Sequence, residues 1–266
     1  MPIANGNTAA SIRLREQGDG PLLLLLHGNP DTGEAWADVM SRLAHRHRCL
    51  APDLPGFGGS AVPPDFDLSL DGMGRFVAHV LDNGGVREPV DLVVHDFGAW
   101  FGLAWAIRDN HNVRRIAILN ARFFSDLRWH PWARLLRTPG VGELAMAAMN
   151  RWSFRRHLQR RAPGLSRAQV DATYDRITPA AKRMALRLYR AMDPEKFRGW
   201  EAELLELARR VPILVVWGDR DPYIPVRYAE RFGAVEVKRY PDCGHWPHRE
   251  AADRLAADLA AFFGSG

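Results

Sequence analysis

Short apolar runs that alternate with longer helical patterns constrain the fold of this chain more than any other feature. Residues 21–27 include five consecutive leucines, preceded by Asp-Gly and followed by Gly-Asn-Pro. A run that is apolar on both faces is typical of a strand buried within a sheet. By the same criterion we predict five further strands, at 48–52, 90–95, 115–119, 213–217 and 235–239.

Helical patterns separate these runs. The predicted helices cover residues 33–45, 70–83, 98–109, 226–232 and 250–263. Because strands and helices alternate so regularly, the sequence predicts an α/β fold with a mostly parallel, doubly wound sheet. In such sheets functional groups gather in loops at the carboxyl ends of the strands.

The alternation stops after residue 121 and resumes at Pro212. The intervening segment is helical, rich in Arg, Trp and Met, and interrupted by prolines such as Pro131 and Pro163. We therefore predict a core domain made of residues 1–121 and 208–266. Residues 122–207 form a predicted helical cap over the carboxyl ends of the strands.

Composition indicates a globular protein and argues against nucleic acid as a partner. Hydrophobic residues make up 47% of the 266 residues and charged residues 25%, which is ordinary for a globular domain. The net charge of +5 comes mainly from arginines within residues 122–203. These arginines are mixed with acidic and apolar residues, which is typical of a solvated helical surface, and no nucleic-acid motif is present.

The sequence also predicts a cytoplasmic protein without a membrane partner. The N-terminus is polar and lacks a signal-peptide pattern, and the leucine run at residues 22–26 is far too short to span a bilayer. Cys49 and Cys243 are the only cysteines, which is a poor basis for a disulfide framework. The oligomeric state stays open.

Asp96 is the clearest candidate for catalysis, because it stands between a predicted strand and a helix that begins at Gly98. A tight strand-to-helix turn that presents a nucleophile needs a small residue two places later, and Gly98 meets this need. A carboxylate at the turn can attack a saturated carbon and form an ester. The alternative is that Asp96 only caps the helix.

Two later loops supply partners for Asp96. Asp221 follows a buried strand and can orient a histidine and stabilise its cation, although Asp219 competes for this role. His245 lies in a glycine-flanked loop after the last strand, where a general base is expected, with His248 as the fallback. The chain order of nucleophile, acid and histidine favours Asp96, Asp221 and His245.

Residues 27–30, His-Gly-Asn-Pro, follow the first buried strand and complete the predicted site. Backbone N–H groups of Asn29 and Phe97 can bind the negative oxygen that develops when water attacks an ester. We expect His27 to hold the loop backbone and not to act as a base.

These motifs identify the chain as similar to the α/β-hydrolase superfamily over nearly its whole length. The aspartate at the strand-to-helix turn resembles the branch that contains haloalkane dehalogenases and epoxide hydrolases. The resemblance implies an alkyl ester on Asp96, cleaved by water that the histidine activates, with no cofactor beyond water. Its motifs are residues 27–30 (His-Gly-Asn-Pro), 53–60 (Asp-Leu-Pro-Gly-Phe-Gly-Gly-Ser), 95–98 (His-Asp-Phe-Gly), 218–221 (Gly-Asp-Arg-Asp) and 244–246 (Gly-His-Trp). His245 and His248 lie in one loop without a second ligand cluster at suitable spacing, so no metal site is predicted.

The core motifs resemble those of a haloalkane dehalogenase. Asn29 matches the dehalogenase asparagine that helps to hold the departing halide, where epoxide hydrolases usually have an aromatic residue. Asn120 resembles a dehalogenase subgroup whose acid follows the later strand, which agrees with Asp221. Dehalogenases place a halide-binding Trp after the nucleophile, but this chain has Phe97. A cap tryptophan is therefore expected to replace it: Trp152 first, then Trp129 or Trp132.

The cap also resembles an epoxide hydrolase at Tyr189, whose hydroxyl would donate a hydrogen bond to the epoxide oxygen. Epoxide hydrolases usually have two such tyrosines, and Tyr174 matches the second poorly. The sequence thus predicts hydrolysis of a carbon–halogen bond in a small apolar substrate, with epoxide hydrolysis as the alternative. Lactone or ester cleavage is a third possibility, and a catalytically silent binding protein a fourth.

Overall fold

The strands of the protein form one large sheet and one small one. The computed structural model describes residues 2–3, 10–109, 112–126 and 128–264. Two short strands, β1 (Pro2–Ile3) and β2 (Ala10–Ser11), pair with each other in antiparallel fashion. The larger sheet contains β3 (Leu14–Gln17), β4 (Leu22–Leu26), β5 (Arg48–Pro52), β6 (Val90–His95), β7 (Val113–Leu119), β8 (Ile213–Gly218) and β9 (Glu236–Tyr240).

The order of the large sheet is β3-β5-β4-β6-β7-β8-β9. Only the edge pair β3–β5 is antiparallel among the pairs of this sheet that the described residues form. The predicted mostly parallel α/β sheet is confirmed. Because β4 and β6 to β9 are parallel, their carboxyl ends lie on the same side of the sheet, and the loops that follow these strands converge there.

The leucine run in β4 explains why two layers pack on the sheet. All five leucines are fully buried. Since successive side chains of a strand point to opposite faces, Leu22, Leu24 and Leu26 join one hydrophobic cluster. Leu23 and Leu25 join the cluster on the other face.

Helices cover both faces of the sheet. None of the helices in the described residues is long and apolar enough to cross a membrane. Those of the sheet layers are η1 (Gly33–Trp36), α1 (Ala37–Leu43), α2 (Leu70–Asn83), α3 (Gly98–Arg108), η3 (Val226–Arg231), α10 (Pro247–Glu250) and α11 (Ala252–Gly264), where η denotes a 3₁₀ helix.

A second group of helices lies between β7 and β8. The division of the chain into a core and a cap at residues 122–207 stays a prediction. The helices in this stretch are α4 (Pro131–Arg137), α5 (Val141–Ala148), α6 (Arg151–Arg161), α7 (Arg167–Asp175), α8 (Pro179–Ala191), η2 (Pro194–Phe197) and α9 (Trp200–Ala208).

The sequence prediction missed details at the edges of the fold. The edge strand β3 was not predicted because Leu14–Gln17 is short, polar and half exposed. The helix predicted at 33–45 starts as η1, where Thr32 caps Glu34 through its side chain. The segment predicted as a helix at 226–232 is the 3₁₀ helix η3, which follows Pro225.

Gly98 at the start of α3 lets this helix approach β4 closely, and we predict that it cannot be replaced. A Cβ at position 98 would lie 2.5 Å from the Leu26 carbonyl oxygen and 2.7 Å from that of His27. Gly98→Ala should therefore lower the free energy of unfolding by about 1–3 kcal/mol, measured by urea denaturation.

Gly264→Ala is the matched control, because a Cβ at position 264 meets nothing within 4 Å. It should leave the stability unchanged or slightly raised, since alanine favours helix over glycine. Equal stability of the two variants would contradict the close approach described for Gly98.

Candidate active site

Asp96 lies at the turn between β6 and α3, where the backbone is strained. Its φ is +48°, in a region that non-glycine residues rarely occupy and that costs roughly 1–3 kcal/mol. The turn brings the Asp96 side chain against the loop after β4. A Cβ on Gly28 would lie 2.7 Å from Asp96 Oδ2, so this approach also requires a glycine at position 28.

The Asp96 carboxylate is buried and its two oxygens have different surroundings. The residue is only 7% exposed. The backbone N–H of Asn29 donates to Oδ2 at 3.0 Å. Oδ1 lies 3.8 Å from Nε2 of His245. Burial raises the pKa of Asp96, whereas His245 and the backbone N–H groups of Asn29 and Phe97 oppose the rise.

His245 connects Asp96 to a second carboxylate. Its Nδ1 donates to Asp221 Oδ2 at 2.7 Å. Burial disfavours the imidazolium, but the charge and hydrogen bond of Asp221 together with the charge of Asp96 outweigh it. The result is a His245 pKa raised to about 9. The structure thus brings Asp96, His245 and Asp221 together, as the sequence predicts.

The competing residues lie elsewhere. Asp219 forms an ion pair with Arg239 at 2.6 Å on the outer side of the turn. His248 is fully buried, with its ring between those of Trp36 and His95. Its ring nitrogens have no hydrogen-bond partner among the described residues, although Nε2 lies 4.0 Å from Asp31 Oδ2, and the ring does not line the cavity described below.

Asn120 fixes the position of Asp221. The Asn120 amide nitrogen donates to Asp221 Oδ2 at 2.8 Å, and its Oδ1 accepts from the backbone N–H of Gly218 at 2.9 Å. Asp221 Oδ1 accepts from the N–H groups of Tyr223 and Ile224 at 2.7 and 3.1 Å. The carboxylate is therefore held by four donors, including the histidine.

The side chains of two other histidines form hydrogen bonds with backbone groups of the loops around the site. His27 donates through Nδ1 to the Gly28 carbonyl at 2.8 Å and accepts the N–H of Leu54 at Nε2. His95 donates from Nε2 to the carbonyl of His245 at 2.8 Å. Burial lowers the pKa of both rings, so they are neutral. Their contacts position the loops that carry Asn29 and His245.

A cavity of about 470 Å³ opens above Asp96 and His245. Most of its lining residues come from the stretch between β7 and β8, and many of them are apolar, including Met146, Phe154 and Leu158. A concave site lined by apolar groups with a few convergent polar groups is the usual form of a small-molecule site.

The sequence analysis predicts that Trp152 donates a hydrogen bond in place of the tryptophan that dehalogenases have at the position of Phe97. The structure contradicts this prediction. The Trp152 side chain lies on the outer face of α6, is 68% exposed and does not line the cavity. Trp129 and Trp132, the other two candidates, do line it. The Trp129 indole nitrogen is buried and has no hydrogen-bond partner among the described residues.

Tyr189 on α8 reaches the cavity beside Asp96. Its ring contacts Phe97 and Trp129 edge-on, with centroid distances of 5.0 and 5.3 Å. Burial and the Asp96 charge raise the pKa of Tyr189, whereas the nearby Asn29 side chain lowers it. The hydroxyl therefore stays protonated. Tyr174 instead packs on Phe154 outside the cavity lining.

Sequence analysis missed several polar groups of the cavity wall, four of which are Tyr223, His157, His130 and Arg122. Tyr223 packs edge-on against His245 at 5.2 Å, and His157 shares a hydrogen bond with its hydroxyl at 3.1 Å. His130 also lines the cavity, and burial lowers its pKa to about 4. Arg122 follows β7 by three residues. Its position at the carboxyl end of a strand was the available signal.

One group of buried side chains in the described residues could offer ligands to a metal ion. Asp31, His95 and His248 place one ligand atom each within 4.8 Å of one another. Asp31 already pairs with Arg249 at 2.9 Å, which balances its charge. None of these three residues lines the cavity, and the His95 ring packs against that of His245.

Comparison with known proteins agrees with this architecture. The chain is 27% identical over 265 residues to a cis-3-alkyl-4-alkyloxetan-2-one decarboxylase of Xanthomonas campestris pv. campestris, covering 92% of this chain and 88% of that protein. It is 28% identical over 263 residues to haloalkane dehalogenase 2 of Mycobacterium tuberculosis, covering 94% and 90%.

A solved structure extends the agreement to three dimensions. Cfl2 from Burkholderia cenocepacia superimposes with a TM-score of 0.80 at 26% identity, over 96% of this chain and 92% of that one. The family model of the alpha/beta hydrolase fold matches residues 21–252, which is most of the chain. The chain therefore belongs to the α/β-hydrolase fold family and has haloalkane dehalogenase-like relatives.

Proposed function

We propose that this protein is a hydrolase that attacks a substrate carbon with Asp96 and releases the product with water activated by His245. One observation carries the proposal. The buried Asp96 carboxylate has one oxygen held by the Asn29 N–H at 3.0 Å, while the other lies 3.8 Å from Nε2 of His245 in the wall of a largely apolar cavity.

In the first step, Oδ1 of Asp96 attacks the carbon. A bond forms between Oδ1 and this carbon, and the bond from carbon to the leaving group breaks with its electron pair on the leaving group. Oδ2 becomes the carbonyl oxygen of the ester. The Asn29 N–H already donates to Oδ2, so this hydrogen bond needs no rearrangement when Oδ2 becomes the carbonyl oxygen.

In the second step, His245 removes a proton from water, whose oxygen attacks Cγ of Asp96. Negative charge then develops on Oδ2, where the N–H groups of Asn29 and Phe97 stabilise it. Asp221 stabilises the imidazolium that forms. Collapse of this intermediate breaks the bond between Cγ and Oδ1, and the departing oxygen takes the proton from the His245 imidazolium and leaves as the alcohol. The new carboxyl group, which now carries the oxygen from water, loses its proton to solvent and is again a carboxylate.

The change of His245 from a cation to a general base follows from the negative charges of Asp96 and Asp221. In the free enzyme, Asp96 and Asp221 both raise the pKa of His245. Ester formation removes the negative charge of Asp96, so the pKa of His245 falls and the ring can lose its proton. The base is then available only after the ester has formed.

We propose a halide as the leaving group. A halide accepts hydrogen bonds but needs no proton, and the unpartnered, buried indole N–H of Trp129 in the cavity wall suits it. Asn29 supplies a second donor beside Asp96. The similarity to haloalkane dehalogenase 2 supports this choice.

Tyr189 favours epoxide hydrolysis as the second candidate. Its protonated hydroxyl lies beside Asn29 near Asp96 and could give a hydrogen bond to the oxygen of an opening epoxide. A lactone is a third candidate because the Xanthomonas relative is named for a four-membered cyclic ester. In each case the substrate is a small, largely apolar molecule.

Isotope labelling tests the ester. When excess enzyme turns over a small bromoalkane once in H₂¹⁸O, mass spectrometry of the peptide that contains Asp96 should show one ¹⁸O. His245→Gln should instead accumulate an alkylated Asp96 peptide, because only the second step needs the base. Asp219→Asn is the matched control and should behave as wild type. Turnover that labels only the product would refute the role of Asp96.

Titration of His245 by NMR tests the coupling of charges. The wild-type pKa should be about 9. Asp96→Asn should lower it, and Asp221→Asn should lower it further, because Asp221 contributes both charge and a hydrogen bond. The exposed control Asp65→Asn should change nothing. An unchanged pKa in Asp96→Asn would show that the ester cannot switch the base.

Paired variants separate the two leaving groups. Trp129→Phe removes the indole N–H and should lower kcat/KM for a bromoalkane by about 10- to 100-fold, measured by halide release. Tyr189→Phe should cause a similar loss for styrene oxide, measured by diol formation. If wild type releases neither halide nor diol and no substrate labels Asp96, a silent binding protein becomes the better account.

A further inference from the structure

Arg122 is a buried cation in the wall of the cavity. It is 3% exposed, it follows β7, and its guanidinium packs on the Trp129 ring with Cζ 3.5 Å from the ring centroid. Its Nε and Nη2 atoms have no hydrogen-bond partner among the described residues. The proposed ester chemistry gives this residue no task.

The side chain keeps its charge at neutral pH. Burial lowers the pKa of Arg122 to about 9, and the negative charge of Asp96 opposes the fall. An arginine with a pKa of about 9 is protonated at pH 7. A buried cation without a hydrogen-bonded acid is costly unless something else supplies the negative charge.

Other arginines of this chain show what is missing at Arg122. Arg114 donates from Nε to Asp91 Oδ1 at 3.0 Å and from Nη2 to Oδ2. Arg155 uses the same two nitrogens to bind Asp171 at 2.7 to 2.9 Å. At Arg122 this same edge, Nε with Nη2, has no carboxylate.

We propose that Arg122 binds a carboxylate carried by the substrate, so that the hydrolase acts on organic acids whose reactive carbon reaches Asp96. This inference rests on the proposed function and names its substrate class. A guanidinium presents parallel N–H groups that match the two oxygens of a carboxylate, whereas a halide is a single atom.

The surroundings of Arg122 agree with an acid that has an apolar chain. The cavity wall between α4 and α8 supplies Phe154, Leu158 and Ile177 for hydrocarbon. A substrate carboxylate would be repelled by the charge of Asp96, and a cation near both groups offsets this repulsion. Arg122 is positioned for this because Asp96 already acts on its pKa.

Binding measurements test the carboxylate site without any turnover. Calorimetric titration with butanoate and hexanoate should show binding to wild type, and the alcohols of equal length should bind more weakly. Arg122→Met should weaken alkanoate binding by about 10- to 100-fold, and Arg122→Lys by less, since it keeps the charge without the fork.

Arg137→Met is the matched control. Arg137 also packs on the Trp129 ring, at 5.3 Å, but pairs with Asp193 and does not line the cavity. The Arg137→Met variant should bind alkanoates with the same affinity as wild type, and circular dichroism should verify that it is folded. If Arg122→Met fails to fold, Arg122→Lys decides. Equal alkanoate affinity in wild type and the folded Arg122 variant would overturn the proposal, as would no alkanoate binding to wild type.

Kinetics separate this inference from the proposed ester chemistry. Wild type should hydrolyse ω-bromoalkanoates with a higher kcat/KM than bromoalkanes of equal length, and Arg122→Met should lower kcat/KM for the ω-bromoalkanoates by a larger factor than for the bromoalkanes. An equal loss for both substrates would overturn the carboxylate site and indicate a general role. If alkanoates bind through Arg122 but no halide or epoxide reacts, the carboxylate site holds and the proposed function fails.

Discussion

A carboxylate that is only 7% exposed requires compensation of its charge by groups close to it. Around Asp96 the compensation comes from the Asn29 N–H, the His245 ring and, at longer range, Arg122. With Asp221 included, the site holds two anions and two cations. Ester formation would remove the negative charge of Asp96. The site would then carry a net positive charge at the point where the proposed leaving group departs as an anion.

This balance of charges depends on the sheet, because the groups come from loops that are distant in the sequence. Asp96, Asn120 and Asp221 follow adjacent parallel strands, and the register of β6, β7 and β8 brings their ends level. Asn120 then joins the ends of β7 and β8 by bonding both Gly218 and Asp221. The turns that follow β6 and β7 contain two strained residues, Asp96 with a φ of +48° and Asn120 with a φ of +35°. Burial of the strands stabilises a backbone that local preferences disfavour.

The parts of the protein that sequence reasoning predicted are those governed by local periodicity. Buried strands have a clear pattern, and a short loop after a strand has little freedom, so Asp96, Asp221 and His245 could be placed from the sequence. The inserted helices differ because the face that each one buries depends on its neighbours. Trp152 and Trp129 are the same residue type, yet only Trp129 reaches the cavity. Arg122 was counted with a charged surface, and its burial, which the sequence does not reveal, separates it from the arginines on that surface.

The separation between sheet and inserted helices has a chemical consequence. The groups proposed to make and cleave the ester all stand on loops of the sheet, whereas Trp129, Tyr189 and most of the cavity wall belong to the inserted stretch. Phe97, next to the proposed nucleophile, has no side-chain donor, so the donors proposed to assist a leaving group are Asn29 on a sheet loop and Trp129 or Tyr189 in the inserted stretch. Under the proposed chemistry, changes in the inserted stretch would alter the leaving group or the substrate without disturbing Asp96 and His245. Arg122 lies where the two parts meet, and from there a single cation acts on the charge of Asp96 and is proposed to act also on a bound acid.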